Sequence, residues 1–187
     1  MREFQLVRAL GFVVGGLLLA AAALSAQAPT GGASAQRPAS QASGPALPAG
    51  DVSAAQINTF IDNLPKDAIS DLPIKVFDTG GTRVGVYGVF RPKGSKQDAI
   101  LHETTTSETY VMLEGAATLV TGGTIPSSRV ERGSVRGDSI DGGVSRRVTK
   151  GDVIVIPGRT PHWFSNLETD LRYMIIRSDP QGRLQLK

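Results

Sequence analysis

The chain has 187 residues, enough for one domain with its own core, and its 40% hydrophobic content fits that size once non-domain segments are set aside. Lys and Arg number 20 against 17 Asp and Glu, a formal charge of +3 spread along the chain with no block of like sign, so nucleic acid is not an expected partner. There is no cysteine and there are two histidines, His102 and His162, which excludes disulfides, thiolate ligands, iron–sulfur clusters and a three-imidazole site within one subunit.

The N-terminus carries Arg2 and Arg8, an apolar run over residues 9–24 and the small-residue stretch Ser25-Ala26-Gln27-Ala28. This three-part pattern predicts a signal peptide over residues 1–26, cut after Ser25 or Ala26 because Pro29 disfavours a cut after Ala28. The expected location is periplasmic or secreted, by bacterial export, with no stable membrane insertion after cleavage. An uncleaved anchor is the alternative, since the run nearly spans a bilayer. Residues 27–50 are Ala, Pro, Gly, Ser and Gln with a single charge, a composition that predicts a disordered linker.

The domain is expected over residues 51–187. Asp51 and Ser53 are N-cap candidates ahead of AAQINTFIDNL, where Ile57, Phe60, Ile61 and Leu64 recur at helical spacing, and Pro65 ends that helix. From Pro73 the pattern changes to period two, giving eight short strands with sequences IKVFDT, TRVGVYGVFR, AILHET, ETYVMLEG, ATLVTGG, DVIVIP, HWFSN and LRYMIIRS. The fold class predicted is all-β, a single antiparallel barrel or jelly roll with a short N-terminal helix. An immunoglobulin-type sandwich is the alternative, without its Cys–Trp–Cys hallmark. Residues 122–150 break the regularity as a long loop, either a binding edge or a tolerated surface insertion.

Along their strands His102 and Glu108 share parity with Thr104, Thr106, Tyr110 and Met112, so they can face one interior, while Glu103, Val111 and Leu113 face the other way. His162 opens a later strand after IPGRTPHW and meets them only if the two halves of the chain fold together.

Over residues 73–179 the sequence resembles the cupin superfamily, the RmlC-like jelly rolls. His102, Thr104, Glu108 and Gly115 stand at the spacing of the first cupin motif, with Thr104 where a second histidine is usual. Gly151, Pro157, His162 and Asn166 stand at the spacing of the second, with Arg159 where a glycine is usual and Gly158 one residue early. The resemblance implies a divalent metal held by His102, Glu108 and His162. Two imidazoles and a carboxylate favour Fe(II), with Mn, Ni or Zn as alternatives. Thr104 is either a partner of the ligands or a plain barrel residue.

Tyr110 is the candidate catalytic residue, a proton donor to a metal-bound substrate, with a packed barrel tyrosine as the alternative. Trp163 and Phe164 are expected to close the barrel or cover its mouth. Arg146 and Arg147 would meet a carboxylate ligand from the insertion unless they are simply solvated. The expected function is a metal-dependent oxygenase, isomerase or lyase acting on a small oxygenated molecule in the cell envelope. The alternative is a non-catalytic small-ligand-binding cupin with a degenerate metal site. The expected partner is a small-molecule ligand or substrate, and homodimerisation is left open.

Overall fold

The helix forms where its start signal lies. Ser53 caps helix α1 (Ala54–Asp62): its hydroxyl accepts from the Gln56 N–H at 3.2 Å while the Gln56 side chain accepts from the Ser53 N–H at 2.8 Å. The computed structural model describes residues 46–187, so the expected leader over residues 1–26 and the linker as far as residue 45 lie outside the described residues.

Eleven strands follow the helix: β1 (Ser70–Asp78), β2 (Arg83–Arg91), β3 (Ala99–His102), β4 (Ser107–Glu114), β5 (Ala116–Thr121), β6 (Arg129–Glu131), β7 (Ser134–Gly137), β8 (Val144–Thr149), β9 (Val153–Ile156), β10 (His162–Leu167) and β11 (Leu171–Asp179). Eight of them correspond to the eight expected runs. The other three, β6, β7 and β8, lie in the stretch expected to be loop, where Gly and charged residues hide the alternation. The first strand begins at Ser70, ahead of Pro73, because β1 is an edge strand where a missing N–H is tolerated, and its register shifts between Pro73 and Lys75.

The strands form two antiparallel sheets, in the orders β1-β2-β11-β4-β9 and β6-β7-β3-β10-β5-β8. Strand β2 pairs with β11, β3 with β10, β4 with β9 and β5 with β8. The chain therefore runs as one long hairpin, β2–β5 against β8–β11, rolled so that successive strands change sheet. That winding is a jelly roll, a double-stranded β-helix.

Alternation then decides what faces inward. Tyr87 and Val89 of β2, Tyr110 and Met112 of β4, Tyr173 and Ile175 of β11 and Phe164 of β10 fill the core between the sheets. On the outer face of β2, Phe90 packs with Ile61 and Leu64 beneath helix α1. Gly88 leaves room for this, since a Cβ there would lie 2.7 Å from the Phe60 ring.

Two motif glycines, Gly115 and Gly151, have φ of 92° and 93°, the left-handed region where a side chain is disfavoured. Arg159 adopts φ 62° as well, although its side chain is exposed. Gly158 beside it is needed for a different reason: a Cβ there would lie 2.6 Å from the Thr105 backbone, so this turn packs directly on the β3–β4 loop. Arg159→Gly should therefore stabilise the fold by about 1 kcal/mol, seen as a higher melting temperature, whereas Arg159→Val should lower it.

Candidate metal centre

Three elements deliver the candidate ligands to one end of the barrel. His102 ends β3, Glu108 lies in the first turn of the pleat of β4, and His162 opens β10, which pairs back onto β3 through His162 and Ile100. The contact of Gly158 with Thr105 draws the β9–β10 turn against the β3–β4 loop, so residues from distant parts of the chain converge. The ligand atoms of His102, Glu108 and His162 all lie within 4.8 Å of one another.

Both imidazoles are oriented from behind. The Nδ1 of His162 is 3.0 Å from the Thr160 carbonyl oxygen. A carbonyl only accepts, so Nδ1 carries the proton and Nε2 presents a bare lone pair. The Nδ1 of His102 meets the Ser134 hydroxyl at 3.0 Å, which turns its Nε2 toward the centre. Burial pushes both imidazoles below their ordinary pKa, against the opposing pull of Glu108. They are neutral at pH 7.

Glu108 is 3% exposed yet charged. Burial opposes that charge, but Arg177 and the two histidines outweigh it and hold the pKa at about 2. Arg177 Nε donates to Glu108 Oε1 at 2.7 Å, and its other arm donates to Asp71 Oδ2 at 2.7 Å. The Arg177 guanidinium also stacks 4.1 Å over the Tyr87 ring. Asp71 Oδ1 is buried with no hydrogen-bond partner. Two carboxylates share one guanidinium, so this buried group carries a net negative charge.

The Nε2 atoms of His102 and His162 lie 3.7 and 3.6 Å from the Glu108 oxygens. These separations are too long for hydrogen bonds. Two donors about 2.1 Å from a common cation sit at most about 4.2 Å apart, so the histidine-to-glutamate gaps fit one ion and only the widest gap in the trio must close slightly. Arg177 and Tyr110 each occupy one lone pair of Glu108, and each carboxylate oxygen retains another. The donor set fits a divalent cation.

Tyr110 is buried, lines the cavity and donates from its hydroxyl to Glu108 Oε2 at 3.0 Å. Burial and the neighbouring Glu108 charge push its pKa well above 10, so the phenol keeps its proton. Thr104 lines a second opening of about 270 Å³ together with His102 and Glu108. A cavity of about 450 Å³ lies in front of the three candidate ligands.

No protein-family model and no curated protein matches the sequence. Solved structures do resemble the fold. An RmlC-like cupin family protein from Methanocaldococcus jannaschii shares 13% identity, with a TM-score of 0.41 over 64% of this chain and 90% of that one. A protein from Bacillus halodurans shares 15% identity, with a TM-score of 0.46 over 72% and 85%. The DMSP lyase of Ruegeria pomeroyi shares 16% identity, with a TM-score of 0.44 over 65% of this chain and 54% of the lyase. The winding of this chain's own strands makes the fold a cupin-type double-stranded β-helix.

Other expected residues lie elsewhere. Phe164 is a core residue, but Trp163 points out of the opposite face, packed with Ala99, Val120 and Ile140, because neighbours on a strand face opposite ways. Arg147 pairs with Glu168 at 2.7 Å on the surface, and Arg146 is exposed. The arginines that line the cavity are Arg91, Arg136 and Arg177. Sequence reasoning missed them, although Arg91 and Arg177 continue the inward alternation Tyr87, Val89 and Tyr173, Ile175.

Removing Arg177 would strand two carboxylates. In metal-stripped protein, Arg177→Met should cost about 3–5 kcal/mol of unfolding free energy by urea titration. A second change, Glu108→Gln, should recover a large part of that loss.

Proposed function

We propose that His102, Glu108 and His162 hold one divalent cation and that the protein is a metal-dependent enzyme acting on a small oxygenated molecule in the cavity. The observation that carries this reading is the 3.6 Å approach of the bare His162 Nε2 to a buried, charged Glu108 with no hydrogen bond between them. Two electron-rich atoms held face to face repel unless a cation lies between them. Two neutral imidazoles and one carboxylate match the donor set of non-haem iron(II) sites, so iron(II) leads, with manganese, nickel and zinc as the alternatives.

When bound, such a cation supplies Lewis-acid polarisation of an oxygen on the substrate, or activation of water or dioxygen. This chain's residues supply the rest. Ser134 and the Thr160 carbonyl hold the imidazoles in orientation, and Arg177 holds Glu108 ionised. Tyr110 keeps a proton on its phenol oxygen, 3.0 Å from Glu108 Oε2, and is the group placed to pass one to a substrate. The core side chains beneath the site exclude water from that side. The envelope location belongs to this proposal on the leader sequence alone, with Arg2, Arg8 and the apolar run over residues 9–24.

A second reading is a binding protein that uses the same pocket without turnover. It is favoured by Arg177 and Tyr110, which already satisfy part of Glu108. Metal analysis and reaction screening of the purified protein separate the two. A single divalent ion per chain is expected, and His102→Ala, His162→Ala and Glu108→Ala should each weaken its binding at least about 100-fold, while Tyr110→Phe weakens it about tenfold or less. Thr104→Ala should leave metal content unchanged, and Thr104→His should bind metal more tightly while altering any turnover. Full occupancy and affinity in His162→Ala would refute the metal centre; full metal without turnover of any screened substrate would favour the binding protein.

A further inference from the structure

The cavity contains a positive charge that its own acids do not pair. Arg91, Lys96, Arg136 and Arg177 line it, against Asp71, Asp98 and Glu108. Arg177 is taken by Asp71 and Glu108. Lys96 turns out to Asp138 at 2.8 Å, and Asp98 is shared between Arg129 at 2.9 Å and Arg136 at 3.6 Å. Among the described residues, Arg91 alone of the four pairs with no carboxylate.

Its position is nevertheless built. Arg91 Nε donates to the Tyr173 hydroxyl at 2.8 Å and Nη1 donates to the Gln97 side-chain oxygen at 2.6 Å, both neutral acceptors. Gln97 is buried, and its amide nitrogen is fixed by Ser95 through the carbonyl at 2.9 Å and the hydroxyl at 2.6 Å, so its oxygen is committed to Arg91. The guanidinium lies over the Phe164 ring, 5.4 Å from its centroid. These contacts hold it still, and Nη2 has no acceptor among the described residues. Across the cavity, Arg136 Nε is buried and also lacks one. With Lys96 turned outward the arginines and acids of the cavity balance, so a cation at the histidine and glutamate centre would leave the cavity net positive.

We propose that Arg91 anchors the carboxylate of a small organic acid, which makes the substrate or ligand class of this cavity an organic monoanion whose other end faces His102, Glu108 and His162. This deepens the functional reading above and rests on its cavity. A planar guanidinium with open N–H groups matches a carboxylate in shape and charge. Asp71 and Asp98, on the same walls, disfavour a multiply charged anion such as a phosphate ester. A cavity of about 450 Å³ admits a small metabolite-sized acid and excludes a polymer.

The test uses the full chain, once stripped with EDTA and once loaded with zinc, titrated with glycolate, pyruvate, lactate and benzoate, each beside its neutral amide. Trp163, the sole tryptophan, donates to the Gln97 carbonyl at 3.0 Å, so its fluorescence reports on the Arg91 side of the cavity, with calorimetry as the second readout. At least one carboxylate should bind at least about tenfold tighter than its amide. Arg91→Gln should abolish that preference, and Arg91→Lys should keep a reduced part of it because the charge remains and the fork is lost. If Arg91→Gln does not fold, the reduced preference of Arg91→Lys decides.

Equal or undetectable binding of every acid and amide overturns the proposal, as does an undiminished preference in either variant. A variant that only melts earlier, with its preference intact, would make Arg91 a packing residue. The two readings separate cleanly. A preference that depends on Arg91 in a protein that takes up no zinc sustains the anchor and sinks the metal centre. Zinc uptake with a preference indifferent to Arg91 does the reverse.

Discussion

Glu108 is the buried end of a chain of charges, Asp71 to Arg177 to Glu108, and the end of the barrel is organised around keeping that carboxylate ionised. A carboxylate this buried would ordinarily be protonated. The charge of Arg177, 2.7 Å away, reverses the balance together with the two histidines, and Asp71 in turn anchors Arg177 at the same distance. The result is a fixed negative charge beneath two neutral imidazoles. Both histidines are held by groups on their far side, so the bare Nε2 of His162, the Nε2 edge of His102 and the Glu108 carboxylate converge on one small volume. That convergence is costly unless a cation fills it.

The winding of the strands makes the arrangement rigid. Because β4 lies between β11 and β9, Glu108 faces Arg177 on one side and Ile156 on the other in a fixed register. Because β10 lies between β3 and β5, His162 cannot shift without disturbing two ladders. The stretch over residues 122–150 adds to this. Its strand β7 pairs with β3 and places Ser134 opposite His102 and Arg136 opposite Ile100. It is a sheet extension that supplies side chains to the site, not a loop laid over it.

Much of this architecture was legible from residue order. The period-two runs marked eight strands, and parity placed His102, Glu108 and Tyr110 on one face. The likeness to the cupin motifs brought His162 to them, which spacing alone did not do. What escaped has physical reasons. Strands β6, β7 and β8 are short, with β6 wholly exposed, so they lack the apolar alternation that reveals a buried strand. Arg177 and Arg91 break the apolar pattern at the inward positions of β11 and β2, and a charged residue at a strand end reads as a surface residue until its carboxylate or cavity is seen. The left-handed backbone at Arg159 shows a departure of another sort: the conformation usual for glycine at that motif position is kept although the glycine is not.

The geometry calls for a cation between His102, Glu108 and His162. A crystal structure of the zinc-loaded protein with anomalous scattering at the zinc edge tests it most directly. One anomalous peak is expected about 2.0–2.2 Å from the Nε2 atoms of both histidines and from a Glu108 oxygen, with Arg177 still bound to Glu108. A map with no peak at that position, and with the histidine nitrogens bridged to Glu108 by water alone, would contradict it.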